Sequence, residues 1–311
     1  MSGSELTRRE AWVAAARPQT LPAAAAPVLV GVGLAVHDGV AAAAPAVAAF
    51  VGAALIQIGT NFANDYYDAI QGADTDDREG FTRVTQAGLI EPARVKSAMY
   101  LTFAAAIVVG SYLVYVGGVP ILVIGLLSVI SGIAYTGGPY PLGYHGLGDL
   151  FVFVFFGVIA VMGTYYVQAA AVLAPPLTTT LPAGTVTLTA FVASLPVAAI
   201  STNILVVNNI RDKDEDETTG KRTLAVRFGY GFSRAEYIGL FGVAYLVPLW
   251  LWLATPFSVA VLLPLVTLPF AARVAETVRT ETSGDALNPA LETTGKLLAG
   301  YSLLFSVGLA I

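Results

Sequence analysis

The chain has 311 residues, 56% of them hydrophobic and only 12% charged, with a formal net charge of -5. Soluble domains carry about 25% charged residues, so a soluble globular fold is excluded and a polytopic membrane protein is indicated. The absence of cysteine excludes disulfides and thiolate metal centres, and two histidines, His37 and His145, are too few for a histidine-built metal site.

The first segment, MSGSELTRREAWVAAARPQT, is polar and bears arginine but has no clear cleavage site. It reads as a cytosolic lead-in, not a signal peptide. A bilayer core about 30 Å thick needs about 20 apolar residues per crossing helix. Apolar stretches of that kind lie at 20–37, 41–67, 95–116, 119–136, 148–173, 185–210, 233–254, 256–275 and 291–310. They predict an all-α fold with nine transmembrane helices. With nine spans, all sixteen Lys and Arg residues fall on the side of the N-terminus, and the opposite connections, VHDGV, YVGGVP, APPLTTTLPAGT and ATPF, carry none. The positive-inside rule then places the N-terminus in the cytosol and the C-terminus across the membrane.

The second span ends in NFANDYYD. At about 100° per helical residue, Asn61, Asn64, Asp65 and Asp68 share an arc of about 100°. Like charges at that spacing repel, and carboxylates at a helix C-terminus oppose its dipole, so a positive partner is expected. More acids follow at Asp74, Asp76, Asp77 and Glu79. The sixth span ends in NNIRDKDEDETTGKRTLAVRFG, where Asn209, Asp212 and Asp216 share about 60° of arc and Asn208 precedes Asp212 by one turn. The echo, four helices later and on the same membrane side, suggests two related halves, roughly 18–136 and 146–275, followed by a ninth helix at 291–311, in a single domain spanning 1–311.

Two oxygen-rich clusters facing one another suit a hard cation. Mg²⁺ is usually held by a few carboxylates together with substrate phosphates, and it would polarise a diphosphate and stabilise it as a leaving group. Arg78 and Arg83 after the first cluster, and Lys221, Arg222 and Arg227 after the second, are candidates for the phosphate oxygens.

These residues resemble the UbiA superfamily of intramembrane prenyltransferases, whose nine transmembrane helices carry two Asp-rich motifs on helices two and six that bind Mg²⁺ and a prenyl diphosphate. The stretches RPQTLPAAAAPVLVG, NFANDYYDAIQGADTDDREG, AYTGGPYPLGYHGLGDLFVFVFFG and NNIRDKDEDETTGKRTLAVRFG look like the 1,4-dihydroxy-2-naphthoate polyprenyltransferase branch. In the third stretch, Gly148-Asp149 stands where the family pattern more often ends Gly-Glu. The resemblance implies a UbiA-type helical bundle with cytosolic cap loops, and catalytic or metal roles for Asn61, Asn64, Asp65, Asp68, Asp212 and Asp216, with Asn208 and Asn209 as supporting ligands. It implies Mg²⁺ as cofactor, a polyprenyl diphosphate and an aromatic acceptor as substrates, the lipid bilayer as surroundings, and no nucleic-acid partner. The product would be demethylmenaquinone, formed with loss of CO₂ and diphosphate.

An allylic cation in such a reaction needs shelter, which aromatic faces provide. Tyr66, Tyr67, Tyr135, Tyr140, Tyr165 and Tyr166 are candidates, with Tyr135 and Tyr140 preferred because they share the connection that holds Asp149. On that connection His145 is a candidate acid–base group, and Tyr67, His145 and Asp149 are candidates for the acceptor site. Two alternatives stay open at this point. One is a UbiA-type enzyme with another acceptor: 4-hydroxybenzoate, haem, a chlorin or a glycerophosphate lipid. The other is a cation-coupled transporter, which paired membrane acids and related halves also permit.

Overall fold

Water is absent from a bilayer core, so each backbone N–H and C=O must be satisfied within its own segment, and a helix does this for an apolar stretch. The computed structural model, which describes residues 7–71 and 84–311, is all-α, with no strand among the described residues. The α-helices run in the order α1 (Arg8–Ala16), α2 (Leu21–His37), α3 (Ala43–Gln71), α4 (Pro92–Ala134), α5 (Gly148–Phe151), α6 (Ala160–Leu173), α7 (Leu188–Arg211), α8 (Lys213–Thr218), α9 (Leu224–Ala254), α10 (Leu268–Thr280) and α11 (Gly284–Ala310). A π-helical stretch, Val152–Ile159, joins α5 to α6, and a 3₁₀ stretch, Val259–Thr267, leads into α10.

Seven stretches are long and apolar enough to cross a membrane: Arg8–His37, Ala43–Ile70, Pro92–Ala134, Gly148–Leu173, Leu188–Arg211, Leu224–Ala254 and Val259–Thr280. Each coincides with an expected span or, for Pro92–Ala134, with two. That stretch is broken at Gly118, whose φ of 70° and ψ of -156° no other residue type adopts readily. The segment after α6 returns to the break, where Val119 N donates to Thr178 O and Leu177 N donates to Tyr115 O, both at 2.9 Å. A side chain at Gly118 would overlap the Thr178 backbone. Phe103 and Gly132, on opposite arms of α4, meet beside Gly59 and Thr60 of α3. The two arms therefore fold back on one another. α11 is not among the seven, since Asp285, Glu292 and Lys296 dilute its apolar character.

The N-terminal lead-in is itself helical, which its polar composition does not announce. Thr7 and Glu10 form a reciprocal capping box, the Thr-x-x-Glu pattern of TRRE. Trp12 of α1 then packs edge-on against Phe62 of α3. Two larger buried clusters and a smaller one around Ile121, Tyr166, Val167 and Ala170 form. One of the larger two gathers Phe62, Met99 and Phe103 with α1 against α3 and α4. The other holds Leu34, Tyr165, Ile200, Tyr237, Tyr301 and Phe305, from α2, α6, α7, α9 and α11.

Small residues let the helices approach closely. Gly157 meets Ala198 of α7, and Gly33 of α2 meets Ser306 of α11, whose Oγ donates to Leu29 O at 2.6 Å. Nothing surrounds Gly239 of α9. Gly157→Ala is expected to lower stability by about 1–3 kcal/mol through overpacking. Gly239→Ala should leave it level or raise it by up to about 1 kcal/mol by helix propensity. Thermal unfolding of the two variants in detergent checks the contrast.

Candidate active site

A cavity of about 670 Å³ lies among α2, α3, α4, the α5–α6 segment and the end of α7. Its wall is apolar over most of its length, with Pro27, Ile56, Phe151, Phe155, Phe156 and Ile159 among the lining residues. One end is polar. There Asn61, Asn64 and Asp68 of α3 face Asn208, Asn209, Asp212 and Asp216 from the α7–α8 junction. Residues from two distant motifs thus line one cavity.

The first motif divides. Asn64 accepts from Thr136 Oγ1 at 3.0 Å, and Asp68, 2% exposed, accepts from the Tyr144 hydroxyl at 2.7 Å. Asn61 is used for tethering: its Nδ2 donates to Ala16 O and Thr20 Oγ1, both at 2.9 Å, and its Oδ1 accepts from Gln57. Asp65 does not line the cavity. It sits at one edge of the expected arc, and the helix turns it towards Thr85, whose Oγ1 and backbone N donate to Oδ2 at 2.6 and 3.2 Å. Its other oxygen lies 4.0 Å from the Arg17 guanidinium, with the two side chains 1% and 12% exposed. Arg17 does line the cavity. It precedes Pro18, which disfavours the α conformation, and it caps α1 in a left-handed conformation with φ 52°.

The second motif keeps its phase through a break. α7 ends at Arg211 and α8 begins at Lys213, yet Asp216 N donates to Asp212 O at 2.8 Å, which leaves the two acids one turn apart. Asp212 receives a two-pronged contact from Arg211, Nε to Oδ1 at 2.6 Å and NH2 to Oδ2 at 2.8 Å. The same guanidinium donates to Asn208 Oδ1 at 2.7 Å and to Asn288 Oδ1 of α11 at 2.8 Å. Lys221 Nζ lies 3.5 Å from Asp216, and both line the cavity. Lys213 turns away. Its ammonium bonds Asp214 and Glu217, a pairing that raises its pKa, the Asp214 hydrogen bond being the main cause.

The remaining expected residues separate in the same way. Tyr135 lines the cavity within the field of Asp149, Asp68 and Asp216. Tyr140 is 56% exposed, stacks on His145 at 3.6 Å and is not part of the lining. His145 is also outside it, its Nδ1 2.8 Å from Pro141 O. Asp149 is buried behind Asn209, whose Nδ2 lies 3.5 Å from both its oxygens. Tyr67 packs edge-on against Tyr66, outside the lining. Tyr165 and Tyr166 point elsewhere, to Asp38 and to Gly117 O. Arg222 and Arg227 do not reach the cavity: Arg227 donates to Arg222 O and His145 O, both at 2.9 Å, and so clamps two loops together. Arg78 and Arg83 lie outside the described residues, as do Asp74, Asp76, Asp77 and Glu79.

Three lining residues were not singled out from sequence. Arg211 stood in plain view inside NNIRD, an arginine beside an aspartate at the end of an apolar helix. Arg17 carries in the sequence only the signal of a topological charge. Tyr144 meets Asp68 across 76 positions, a contact no local pattern announces.

Among the described residues, no three His, Cys, Asp or Glu side chains form a group that could hold a metal ion by themselves. The donors at the polar end are nonetheless all oxygen: three carboxylates and the amides of Asn64, Asn208 and Asn209. That set fits Mg²⁺, which takes few protein carboxylates and completes its shell with phosphate and water. Removing one member of a buried ion pair costs about 3–5 kcal/mol. Asp65→Ala should therefore destabilise the protein by about that amount, whereas Arg279→Ala, which breaks an exposed pair with Glu276, should not change stability measurably. Thermal melts of both variants test the assignment of Asp65 to Arg17.

Residues 24–288 match the UbiA prenyltransferase family. The 1,4-dihydroxy-2-naphthoate octaprenyltransferase of Mycobacterium tuberculosis is 39% identical over 96% of both chains. The protein of the same name from Escherichia coli is 35% identical over 99% of this chain and 98% of its own. Among solved structures, a UbiA homolog from Archaeoglobus fulgidus bound to DMAPP and Mg²⁺ superposes with a TM-score of 0.63 at 16% identity, covering 95% of this chain and 99% of that one. A fold of membrane-length helices and a family match over most of the chain lead to one conclusion: the chain belongs to the UbiA prenyltransferase family.

Proposed function

We propose that the protein transfers a polyprenyl group from polyprenyl diphosphate to 1,4-dihydroxy-2-naphthoate in a Mg²⁺-dependent reaction of menaquinone biosynthesis. The observation that carries this reading is the single cavity whose polar end joins both Asp-rich motifs and whose remaining wall is apolar. The acceptor is suggested by the names of the relatives at 39% and 35% identity.

In this reaction the allylic C–O bond breaks and its electron pair leaves with the diphosphate. A ring carbon of the naphthoate forms the new C–C bond. The bond to its carboxylate then breaks, CO₂ departs, and that electron pair restores the aromatic ring. The product is the quinol of demethylmenaquinone. When bound, Mg²⁺ would neutralise the diphosphate and make it a better leaving group. Asn64, Asp68, Asn208, Asn209, Asp212 and Asp216 would hold it. Asp65 serves from behind, by fixing Arg17 at the cavity wall, and Asn61 serves by docking α1 onto α3. Lys221 is placed to meet a phosphate oxygen. The Tyr135 ring offers its face to the developing cation. The apolar wall takes the tail and keeps water from the cation. Ile107, Leu122, Leu126 and Ile130 line the cavity and are also exposed on the flank of the bundle, which supports entry of a lipid-soluble substrate from the side.

Nine crossings follow if the folded-back arms of α4 each cross once and α11 crosses too. The two halves then supply one acidic wall each. The N-terminus and the polar end of the cavity lie in the cytosol and the C-terminus lies opposite, a reading that the Lys and Arg distribution supports. The chain has no cysteine, so single introduced cysteines report sidedness directly. Thr180→Cys should react with an impermeant maleimide added to intact cells, and Thr218→Cys only after the cells are opened.

The purified protein in detergent, given Mg²⁺ and geranylgeranyl diphosphate, is expected to convert 1,4-dihydroxy-2-naphthoate into a prenylated naphthoquinone lacking the carboxylate after air oxidation. 4-Hydroxybenzoate offered in parallel should give no product, and chelation of the metal should stop the reaction. Prenylation of the hydroxybenzoate alone, seen by mass spectrometry, would keep the chemistry and overturn the acceptor.

A further inference from the structure

We infer that Tyr144 is the positioning residue that couples the two acidic motifs, orienting Asp68 for the metal and Lys221 for the diphosphate. The inference rests on the transferase reading above and adds a role for a residue which that reading leaves idle.

Tyr144 is half-buried and lines the polar end of the cavity. Its hydroxyl donates to Asp68 Oδ1 at 2.7 Å. Its ring lies 5.1 Å from the Lys221 ammonium, and that ammonium lies 3.5 Å from Asp216. One side chain therefore touches the carboxylate of the first motif and the cation that serves the second. Its backbone is held as firmly. Tyr144 O accepts from Arg222 N at 2.8 Å, and the Arg227 guanidinium ties His145 O to Arg222 O. The approach of the two segments is so close that a Cβ on Gly146, which has a φ of +71°, would lie 2.9 Å from Arg222 O.

The hydroxyl and the ring do separate things. A hydrogen bond to a carboxylate oxygen fixes the rotation of the group, and partners of this kind set the geometry of metal ligands. The ring face attracts the ammonium and keeps it over the cavity. A residue that merely filled space would do neither.

The two roles predict a split. Tyr144→Phe keeps the ring and loses the hydroxyl, so the Mg²⁺ concentration for half-maximal activity should rise about 10-fold while KM for geranylgeranyl diphosphate stays within about twofold. Tyr144→Leu loses both, and both parameters should rise. Lys221→Met keeps the Tyr144–Asp68 contact and should show the reverse split, a raised KM for the diphosphate at unchanged Mg²⁺ dependence. The assay uses the full chain in detergent with 1,4-dihydroxy-2-naphthoate as acceptor, and thermal unfolding accompanies every variant. An unchanged Mg²⁺ dependence in Tyr144→Phe overturns the inference, as does a lowered melting temperature with no shift in either parameter. A Lys221→Met variant with the same metal defect as Tyr144→Phe also overturns it. If the wild-type protein forms no product, the transferase reading fails instead. Binding of Mn²⁺ with geranylgeranyl diphosphate, measured by spin resonance in wild type and Tyr144→Phe, then still tests the coupling: weaker binding in the variant supports it and equal binding refutes it.

Discussion

Carboxylates at the end of an apolar helix bundle must find partners, and the way these do so organises the rest of the site. Removing a charge from water without a partner costs several kcal/mol or more. Asp65, Asp68, Asp212 and Asp216 are all buried. Each is met by a different group: Asp65 by Arg17 and Thr85, Asp68 by Tyr144, Asp212 by Arg211, and Asp216 by Lys221. The partners come from the turn before α2, the turn before α4, the turn before α5, α7 itself and the loop before α9. Pairing the acids therefore fixes where those loops lie. It also leaves one end of the cavity lined with oxygen donors and cations while the other end stays apolar. A substrate with an anionic head and a hydrocarbon tail has the same division.

The positions of the seven membrane-length stretches were legible because apolar length is a strong signal and is not local. The break in α4 was legible as well, since YVGGVP combines a glycine pair with proline, and Gly118 needs its positive φ. Periodicity also brought Asn64, Asp68, Asn208, Asn209, Asp212 and Asp216 to one cavity. It failed for Asp65 because an arc of about 100° is wider than one wall of a cavity. The residue at its edge was free to face Arg17 instead. Periodicity says which residues share a face but not where that face ends.

What sequence could not reach was contact across distance. Tyr140 and His145 stack on each other outside the cavity, whereas Tyr144, one residue from His145, points into it. In a short turn with 3₁₀ geometry, neighbouring side chains diverge by about 120°, and nothing in the spelling says which of them turns inward. Arg222 and Arg227 were plausible phosphate ligands by charge, yet their contacts belong to loop closure. The N-terminal helix was signalled by TRRE, a capping pattern hidden within a segment that composition alone marks as a polar leader.

In the proposed reaction, carboxylates from both motifs hold a single metal–diphosphate unit. The most direct measurement is pulsed electron–nuclear resonance on Mn²⁺ bound to the protein in the presence of geranylgeranyl thiodiphosphate, a substrate analogue slow to ionise. The account predicts tight Mn²⁺ only when the analogue is present, with a phosphorus coupling to the metal, and loss of that signal in Asp68→Ala and in Asp216→Ala alike. Mn²⁺ that binds without phosphorus coupling, or that survives the loss of either motif's carboxylate, would contradict it.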